Sequence, residues 1–289
     1  MPPRLAVIIP TFNEAQALPG LLEDLARQTG VRLEIWVSDG GSTDDTVIIA
    51  RRAGAQTTVG RAGRGAQMNR AHALARAPMR LFLHADSRLP RADQLQRALR
   101  AWQDAGGRGV AGHFPLHFAD APAEHRHLFA FMEAKTRSGR PGTVHGDQGL
   151  LIHRADFDAL GGYREQLPYF EDVYLSDAIF RSARWQLLPD ALHTSARRFV
   201  REGVRQRYAL MAVMMTAHAL GDDGFFAASD ALYRRQDQAQ ALSMKPLLRL
   251  LVERTVRQPR RWPKLLAYAL QNAWQLPLML RCRLTDRSG

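Results

Sequence analysis

The sequence is poor in cysteine and has no long apolar run. Its one cysteine, Cys282, excludes an intramolecular disulfide and a cysteine-based zinc cluster, and it fits a reducing compartment. The most apolar stretch near the C-terminus, LLAYALQNAWQLPLML, has sixteen residues, among them Gln271, Asn272 and Pro277. This stretch is short and polar for a membrane span.

We also expect no cleaved leader. The first apolar segment, RLAVIIP, begins almost at the initiator methionine and is not preceded by a basic and then apolar signal. We therefore expect a cytoplasmic protein, with a peripheral position on the inner face of the membrane as a further option.

Acidic residues are scarce in the last fifty residues, whereas the whole chain has a net charge of +12. Residues 240–289 contain ten Lys or Arg and only Glu253 and Asp286 as acids, so two thirds of the excess charge lies there. The rest of the chain is only mildly basic, which argues against a nucleic-acid groove. This basic tail favours either an interfacial helix on an anionic membrane surface or a helical hairpin that packs on the catalytic domain or on a second subunit as a homodimer.

Short apolar runs alternate with helical patterns in the first half of the chain. The strands are LAVIIP, LEIWVSD and MRLFLHAD, and the predicted helices cover 14–28, 43–54 and 64–77. This βαβ alternation predicts an α/β fold with a mostly parallel, three-layer sheet. Further along, GVAGHFPLHF resembles a longer, partly exposed strand, and FEDVYLSDAIFRSA a helix. We expect a catalytic domain over 1–200 and a helical, basic extension over 201–289.

Polar and acidic residues follow three of these strands, at Pro10 to Glu14, at Asp39 and at Asp86. Parallel strands end at a shared edge, so these residues should converge there, where open α/β sheets place their chemistry. The alternative for Asp86 is a cap on the following helix.

Six motifs together resemble, in order and spacing, the family 2 glycosyltransferases of GT-A fold. They are VIIPTFNE, VSDGGSTDDT, RGAQMN, LHADS, GDQG and FEDVYLSDA, and the resemblance covers about residues 4–200. The HAD sequence and a TSARRF segment are similar to a bacterial subgroup associated with arsenosugar or selenium-related gene clusters. The resemblance implies a GT-A fold with a C-terminal helical extension, and an inverting transfer from a nucleotide-sugar donor, in particular a UDP-sugar.

For the donor, the resemblance implies that Pro10, Thr11 and Glu14 line the base and ribose and that Asp39 accepts a hydrogen bond from uracil. A turn before Gly40 is the structural alternative for Asp39. Arg64 is placed to meet the nucleotide or a phosphate, or else is a solvated arginine.

For the leaving group, the family has an Asp-x-Asp that binds Mn²⁺ or Mg²⁺ at the position of His84-Ala85-Asp86. Asp86 matches the metal-contacting carboxylate, and oxygen ligands suit such a hard cation. His84 departs from the family pattern, and could contact the ribose or a phosphate, or simply pack. His193 is the candidate for a second metal ligand by order in the chain, with a structural histidine as the alternative.

For the acceptor, FEDVYLSDA matches the family's Glu-Asp motif, in which Asp172 takes the proton and Glu171 stands beside it. Acidic residues also stabilise a helix N-terminus, which is the alternative for this pair. Asp147 of GDQG is expected at the donor-sugar or acceptor pocket, or in a β-turn.

Two other functions compete with this one. A sugar nucleotidyltransferase shares a related fold but needs a glycine-rich loop with Arg and Lys after the first strand, which TFNEAQALPG lacks. A degenerate scaffold would bind nucleotide or partners without turnover. His84 favours this alternative, whereas the intact Asp86 and Glu171-Asp172 argue against it. The sequence identifies neither the sugar nor the acceptor, which could be a small molecule, a lipid carrier or a glycan.

Overall fold

The computed structural model describes residues 2–167, 169–222, 224–229 and 243–285. The chain forms two compact units, one of Met1–Ala119 with Glu133–Thr194 and one of Asp120–Met132 with Ser195–Gly289. Within the described ranges, no helix is long and apolar enough to cross a membrane. The sequence-based domains, 1–200 and 201–289, stay a prediction.

Nine strands form a large and a small sheet in the described part of the first unit. The large sheet has the order β3-β2-β1-β4-β7-β5-β8, and β6 pairs with β9. The strands are β1 (Arg4–Thr11), β2 (Arg32–Asp39), β3 (Gln56–Val59), β4 (Met79–Phe82), β5 (Val110–His113), β6 (Leu116–Phe118), β7 (Leu150–His153), β8 (Arg184–Leu187) and β9 (Leu192–Thr194). All neighbours in the large sheet are parallel except β7, which runs antiparallel to β4 and β5.

Helices follow most of these strands. Those that begin before residue 190 are α1 (Leu18–Ala26), α2 (Thr46–Arg52), α3 (Arg64–Leu74), α4 (Gln94–Asp104), α5 (Arg126–Thr136), α6 (Arg154–Ala159) and α7 (Glu171–Ser182). The later ones are α8 (Arg197–Glu202), α9 (Val204–Ala219), α10 (Lys245–Leu251), α11 (Trp262–Asn272) and α12 (Gln275–Thr285). The predicted helices of the first half are confirmed, with ends up to four residues shorter.

The strand order explains the layers. From β1 the chain moves outward to β2 and β3 through α1 and α2, then returns through α3 to β4 on the other side of β1. Because such crossovers are right-handed, α1 and α2 lie on one face of the sheet and α3 on the other. Contacts between α1 and α2 and between α3 and α7 agree with this arrangement. The predicted three-layer α/β architecture is confirmed.

The prediction of one long strand over GVAGHFPLHF is wrong, because this segment forms two strands in different sheets. β5 ends at His113 and β6 begins at Leu116, with Pro115 between them. Proline has no N–H for a strand ladder, so the chain leaves the large sheet here. Leu116 N instead donates to Thr136 Oγ1 at 3.1 Å. Both strands are largely buried rather than partly exposed.

One arginine is fully buried in the strand that leads to the HAD sequence. Arg80 in β4 has no exposed surface and donates to the carbonyl oxygens of Ala75 at 2.9 Å and of Ala77. Its Nε lies 3.1 Å from His72 Nδ1. Burial lowers the pKa of Arg80 to about 10, so it stays charged at neutral pH. The side chain therefore satisfies carbonyls at the C-terminal end of α3, which has no continuing helix to bond them.

Replacing Arg80 with Met should destabilise the protein, because Met fills similar space but leaves these carbonyls unpaired. We expect a loss of about 2–4 kcal/mol, since each unsatisfied buried group costs about 1–3 kcal/mol. Urea unfolding followed by circular dichroism measures it. Arg32→Met, on an exposed arginine of β2, is the matched control. Equal midpoints for the two variants would show that Arg80 does not have this role.

The second unit is helical in its described part and is organised by buried carboxylates. Glu202 accepts from Arg198 at 2.8 Å and from Arg207 at 2.9 Å. Asp222, which is 2% exposed, likewise binds Arg254 and Arg261. The phenylalanines 225 and 226 are buried beside it. The Glu202 pairs join α8 to α9, and the Asp222 pairs join the chain after α9 to residues between α10 and α11.

Candidate active site

The carboxyl ends of β2, β1 and β4 lie side by side, as the sequence predicted. Thr11 is the register partner of Asp39, and Ile8 that of Phe82. β4 then continues directly into His84 and Asp86. The structure therefore brings the three strand-end motifs to one edge of the sheet.

Asp39 is buried at this edge and is strongly hydrogen-bonded within the protein. Its oxygens accept from the backbone N–H groups of Gly41 and Ser42 at 2.8 Å, from Ser42 Oγ at 2.5 Å and from Thr11 Oγ1 at 3.0 Å. Burial alone would raise the pKa of Asp39, but these bonds lower it. They supply as many donors as a carboxylate has lone-pair sites. A direct hydrogen bond from a nucleotide base to Asp39 stays a prediction. It would require the hydroxyl of Thr11 or of Ser42 to give up its bond to Asp39.

The other predicted donor residues at this edge are held by their backbones. Pro10 is half-buried in β1, between the buried Ile9 and Thr11, and Glu14 N donates to Thr46 Oγ1, at the start of α2, at 2.8 Å. Gln67, which we did not select from the sequence, donates from one amide to the carbonyl oxygens of Thr11 and Ser38 at 2.7 and 2.8 Å. Gln67 lies within the RGAQMN motif, and this motif was the sequence signal that could have identified it. Gln67 thus fixes β1 and β2 relative to α3.

The loop that carries His84 and Asp86 is anchored from α1. Asp24, 1% exposed, accepts from Arg88 Nε at 2.6 Å and from Leu89 N at 2.9 Å. Burial would raise the pKa of Asp24, yet these bonds and the Arg88 charge lower it. The anchored residues follow Asp86 by two and three positions, so the position of its carboxylate depends on Asp24.

The GDQG turn and the start of α7 meet at Asp172. Gly146 N donates to Asp172 Oδ2 at 2.7 Å, and Arg64 Nη2 lies 3.6 Å from Asp172 Oδ1. A Cβ at Gly146 would lie 3.0 Å from Asp172 Oδ2 and 3.1 Å from Asp172 Cβ, so any larger residue would push the Asp172 side chain out of this position. Burial would raise the pKa of Asp172, but Arg64, His145 and the Gly146 N–H outweigh it and lower the pKa. Asp172 is therefore ionised at neutral pH.

Arg64 connects the N-terminus of α3 with that of α7. Its Nε donates to Glu171 Oε1, and Glu171 is 1% exposed. Burial would lower the pKa of Arg64, but the charges of Glu171 and Asp172 raise it. Phe170, directly before this pair, has a left-handed φ of 72°, a conformation that costs about 1–2 kcal/mol in a residue with a Cβ. This strained residue turns the chain into α7 with both carboxylates directed at Arg64.

Asp147 brings a third carboxylate to the site. Burial, Asp172 and Asp86 together raise its pKa to about 6, and Oδ1 is buried without a hydrogen-bond partner among the described residues. Sequence reasoning missed two basic residues here, Lys135 of α5 and His145. Burial lowers the pKa of Lys135, and the charge of Asp147 opposes this shift. Burial also lowers the pKa of His145, to about 4, and the charge of Asp172 opposes that shift. His145 directly precedes GDQG, whereas nothing in the sequence around Lys135 indicated it.

Asp147 should make stability depend on pH. The pKa of Asp147 in the folded protein, about 6, lies above its ordinary value of 3.8. The stability that protonation of Asp147 contributes is therefore fully present below pH 3.8 and is lost as the pH rises through about 6. Because asparagine does not ionise, Asp147→Asn should remove this loss of stability at high pH. We therefore expect Asn to raise the melting temperature more at pH 8 than at pH 5. Asp104→Asn, on an exposed aspartate at the end of α4, is the control. An equal effect of Asp147→Asn at both pH values would contradict the assignment.

The residues at this edge fit a hard divalent cation only in part. The charge of Asp86 acts on Asp147, so at least two carboxylates face one region, and Asp147 Oδ1 is unpaired there. Within the described ranges, at this edge or elsewhere, no three His, Cys, Asp or Glu side chains lie together as a complete metal site. Because Mg²⁺ and Mn²⁺ sites at phosphates often use one or two carboxylates, this set is compatible with a cation that takes its other ligands from diphosphate and water.

His193 lies in the small sheet. Its backbone exchanges hydrogen bonds with Arg88 at 2.8 and 3.0 Å, and its ring centroid is 4.7 Å from that of His117. These contacts account for His193 as a structural residue. Its role as a metal ligand stays a prediction.

A family model described as glycosyl transferase family 2 matches residues 6–161 of this chain. The chain belongs to this family. The match includes the edge of β1, β2 and β4 and the GDQG turn, and it ends before α7.

Among curated proteins, the chain is similar to a PGL/p-HBAD biosynthesis glycosyltransferase of Mycobacterium bovis and to its counterpart in Mycobacterium tuberculosis. Identity to each is 41% over 102 residues, covering 33% of this chain. The chain spans 40% of the length of these relatives.

Among solved structures, it is similar to the mannosyltransferase PcManGT from Pyrobaculum calidifontis in complex with GDP-Man and Mn²⁺. The TM-score is 0.58 at 20% identity, over 99% of this chain and 87% of that one. It is also similar to S. aureus TarS 1–349 in complex with UDP, with a TM-score of 0.53 at 17% identity, over 86% and 70% of the two chains. These likenesses confirm the expected GT-A fold.

Proposed function

We propose that this chain is an inverting glycosyltransferase that moves a sugar from a UDP-sugar to an acceptor hydroxyl. The observation that carries the proposal is the ionised Asp172, held between the Gly146 N–H and Arg64 and facing Asp147 at the edge of the sheet. Family membership supports it. A mannosyltransferase and TarS, which are similar in fold, have been solved with nucleotide or nucleotide-sugar bound.

In the proposed reaction, Asp172 accepts the proton of the acceptor hydroxyl as that oxygen attacks the anomeric carbon. A carboxylate with a lowered pKa is a weak base, but the hydroxyl becomes strongly acidic as its bond to carbon forms, so transfer late in the step is favourable. The single displacement inverts the anomeric configuration and needs no nucleophilic side chain. The Gly146 N–H orients the carboxylate throughout.

Arg64 and Glu171 act together with Asp172. Glu171 is buried and bonded to Arg64, which favours a positioning role over proton transfer. Arg64, with 38% of its side chain exposed, also presents positive charge toward the place where a diphosphate would leave.

A divalent cation, Mn²⁺ or Mg²⁺, held by Asp86 would neutralise the diphosphate leaving group. Asp147 is a further carboxylate, whose pKa the charge of Asp86 raises, and His84 lies close enough to lower the pKa of Asp172. His84 would contact the donor phosphate or ribose.

A thermal-shift panel with UDP, GDP, dTDP and CDP, each with and without Mn²⁺, tests the donor assignment. A ligand at a hundred times its Kd adds about 2.7 kcal/mol, and UDP with Mn²⁺ should give the largest shift. A larger shift with GDP would overturn the UDP assignment but keep the enzyme class. If no nucleotide shifts the transition, the degenerate-scaffold alternative would replace this proposal.

A further inference from the structure

The outer surfaces of α11 and α12 expose a row of large apolar side chains. Six residues, 55–69% exposed, repeat at intervals of four within each helix. Residues four apart lie on the same side of a helix, so each set of three forms a narrow stripe. We name the six residues the C-terminal stripe: Trp262, Leu266, Leu270, Leu276, Leu280 and Leu284.

The stripe is not the face by which α11 packs within its own unit. α11 contacts α9, and Leu265, Tyr268 and Asn272, on the other side of α11, are less exposed than the stripe. Burial raises the pKa of Tyr268 to about 12, which agrees with this inner position. A monomeric protein rarely exposes a continuous apolar surface unless something binds it.

Positive charge surrounds the stripe. Residues 254–285 contain seven Lys or Arg and no Asp or Glu. Arg254 and Arg261 both pair with the buried Asp222, which neutralises one of their two charges, so we do not count them with the exposed cations. The other five are exposed, before or in the first turn of α11 and in the last two turns of α12: Arg257, Arg260, Lys264, Arg281 and Arg283. The surface thus combines apolar side chains with cations at both ends.

This combination matches the chemistry of an anionic lipid surface. Leucine and tryptophan enter the boundary between headgroups and acyl chains, and arginine and lysine bind the negative headgroups. Each helix has 11 residues and is about 16 Å long, roughly half the thickness of a bilayer core. We propose that the C-terminal stripe docks the chain on an anionic membrane, with α11 and α12 parallel to its surface.

A second copy of the chain fits this surface less well. In a two-fold symmetric dimer the same patch faces itself, so the five exposed cations would meet five others with no acidic residue in residues 254–285 to pair with them. A nucleic acid would neutralise the cations but leave the leucines without an apolar partner. An anionic lipid surface offers negative headgroups to the cations and acyl chains to the leucines.

Vesicle flotation of the full-length chain tests the proposal. The vesicles are phosphatidylcholine alone, or phosphatidylcholine with one third phosphatidylglycerol. We expect binding to the anionic vesicles only, and at least tenfold weaker binding after Leu266→Glu with Leu276→Glu. Arg281→Gln with Arg283→Gln should weaken binding and make it less sensitive to salt.

Ile48→Glu is the matched control, because Ile48 is 48% exposed in α2 of the first unit. All variants should keep the far-ultraviolet circular dichroism and melting temperature of the parent, which separates lost binding from lost folding. Unchanged binding of the double leucine variant would overturn the proposal. So would failure to bind anionic vesicles, or a dimer in solution that the leucine variants dissociate. The experiment needs no nucleotide, so its outcome is independent of the proposed function.

Discussion

Asp172→Asn should retain donor binding and lose transfer. Asparagine keeps the shape of the side chain and can still accept from the Gly146 N–H, but it cannot take a proton at neutral pH. A positioned general base contributes about 10²–10⁴-fold to rate, so turnover should fall by that factor with little change in donor affinity. Release of UDP from the UDP-sugar in the presence of acceptor, together with titration of UDP by calorimetry, measures both quantities.

Glu171→Gln is the informative comparison for this experiment. Glu171 is bonded to Arg64 and buried, so its loss should disturb the position of Arg64 and weaken donor binding as well as turnover. Asp104→Asn, far along the chain on an exposed site, should change neither quantity. If Asp172→Asn turned over normally while Glu171→Gln did not, the base would be Glu171 and the assignment made here would be wrong.

The convergence of strand-end motifs was predictable because it follows from strand direction alone. Thr11, Asp39 and the HAD sequence lie at one edge since β2, β1 and β4 are parallel neighbours. A period-based pattern fixes which segments are strands, and parallel pairing then aligns their ends. Neither step requires knowledge of side-chain packing.

The electrostatic environment of the site was not predictable in the same way. Lys135 interacts with Asp147, and His145 with Asp172, only because the folded chain brings these side chains close together. The buried Arg80 was hidden for a similar reason, since its partners are carbonyl oxygens that carry no sequence signature. The antiparallel β7 depends on tertiary pairing with β4 and β5, and the pattern of apolar residues does not encode strand direction.

Asp86→Ala should abolish the part of nucleotide binding that depends on a divalent cation. The fold places Asp86 two residues before the anchored Arg88, at the end of the strand next to β1, and its charge reaches Asp147. Removing this carboxylate leaves a cation and a diphosphate without their shared protein ligand. The thermal shift caused by UDP with Mn²⁺ should therefore fall to the smaller shift caused by UDP alone.

Two further variants make this result interpretable. Asp104→Ala removes an exposed carboxylate of the same charge and should keep the full Mn²⁺-dependent shift. Asp24→Asn loses the charge that holds Arg88, so it should weaken the shift without abolishing it, because the Asp86 carboxylate is still present but less well positioned. A full Mn²⁺-dependent shift in Asp86→Ala would mean that the cation binds elsewhere on the chain. The half-buried His193 beside His117 would then be the next ligand to replace, with His193→Ala measured in the same panel.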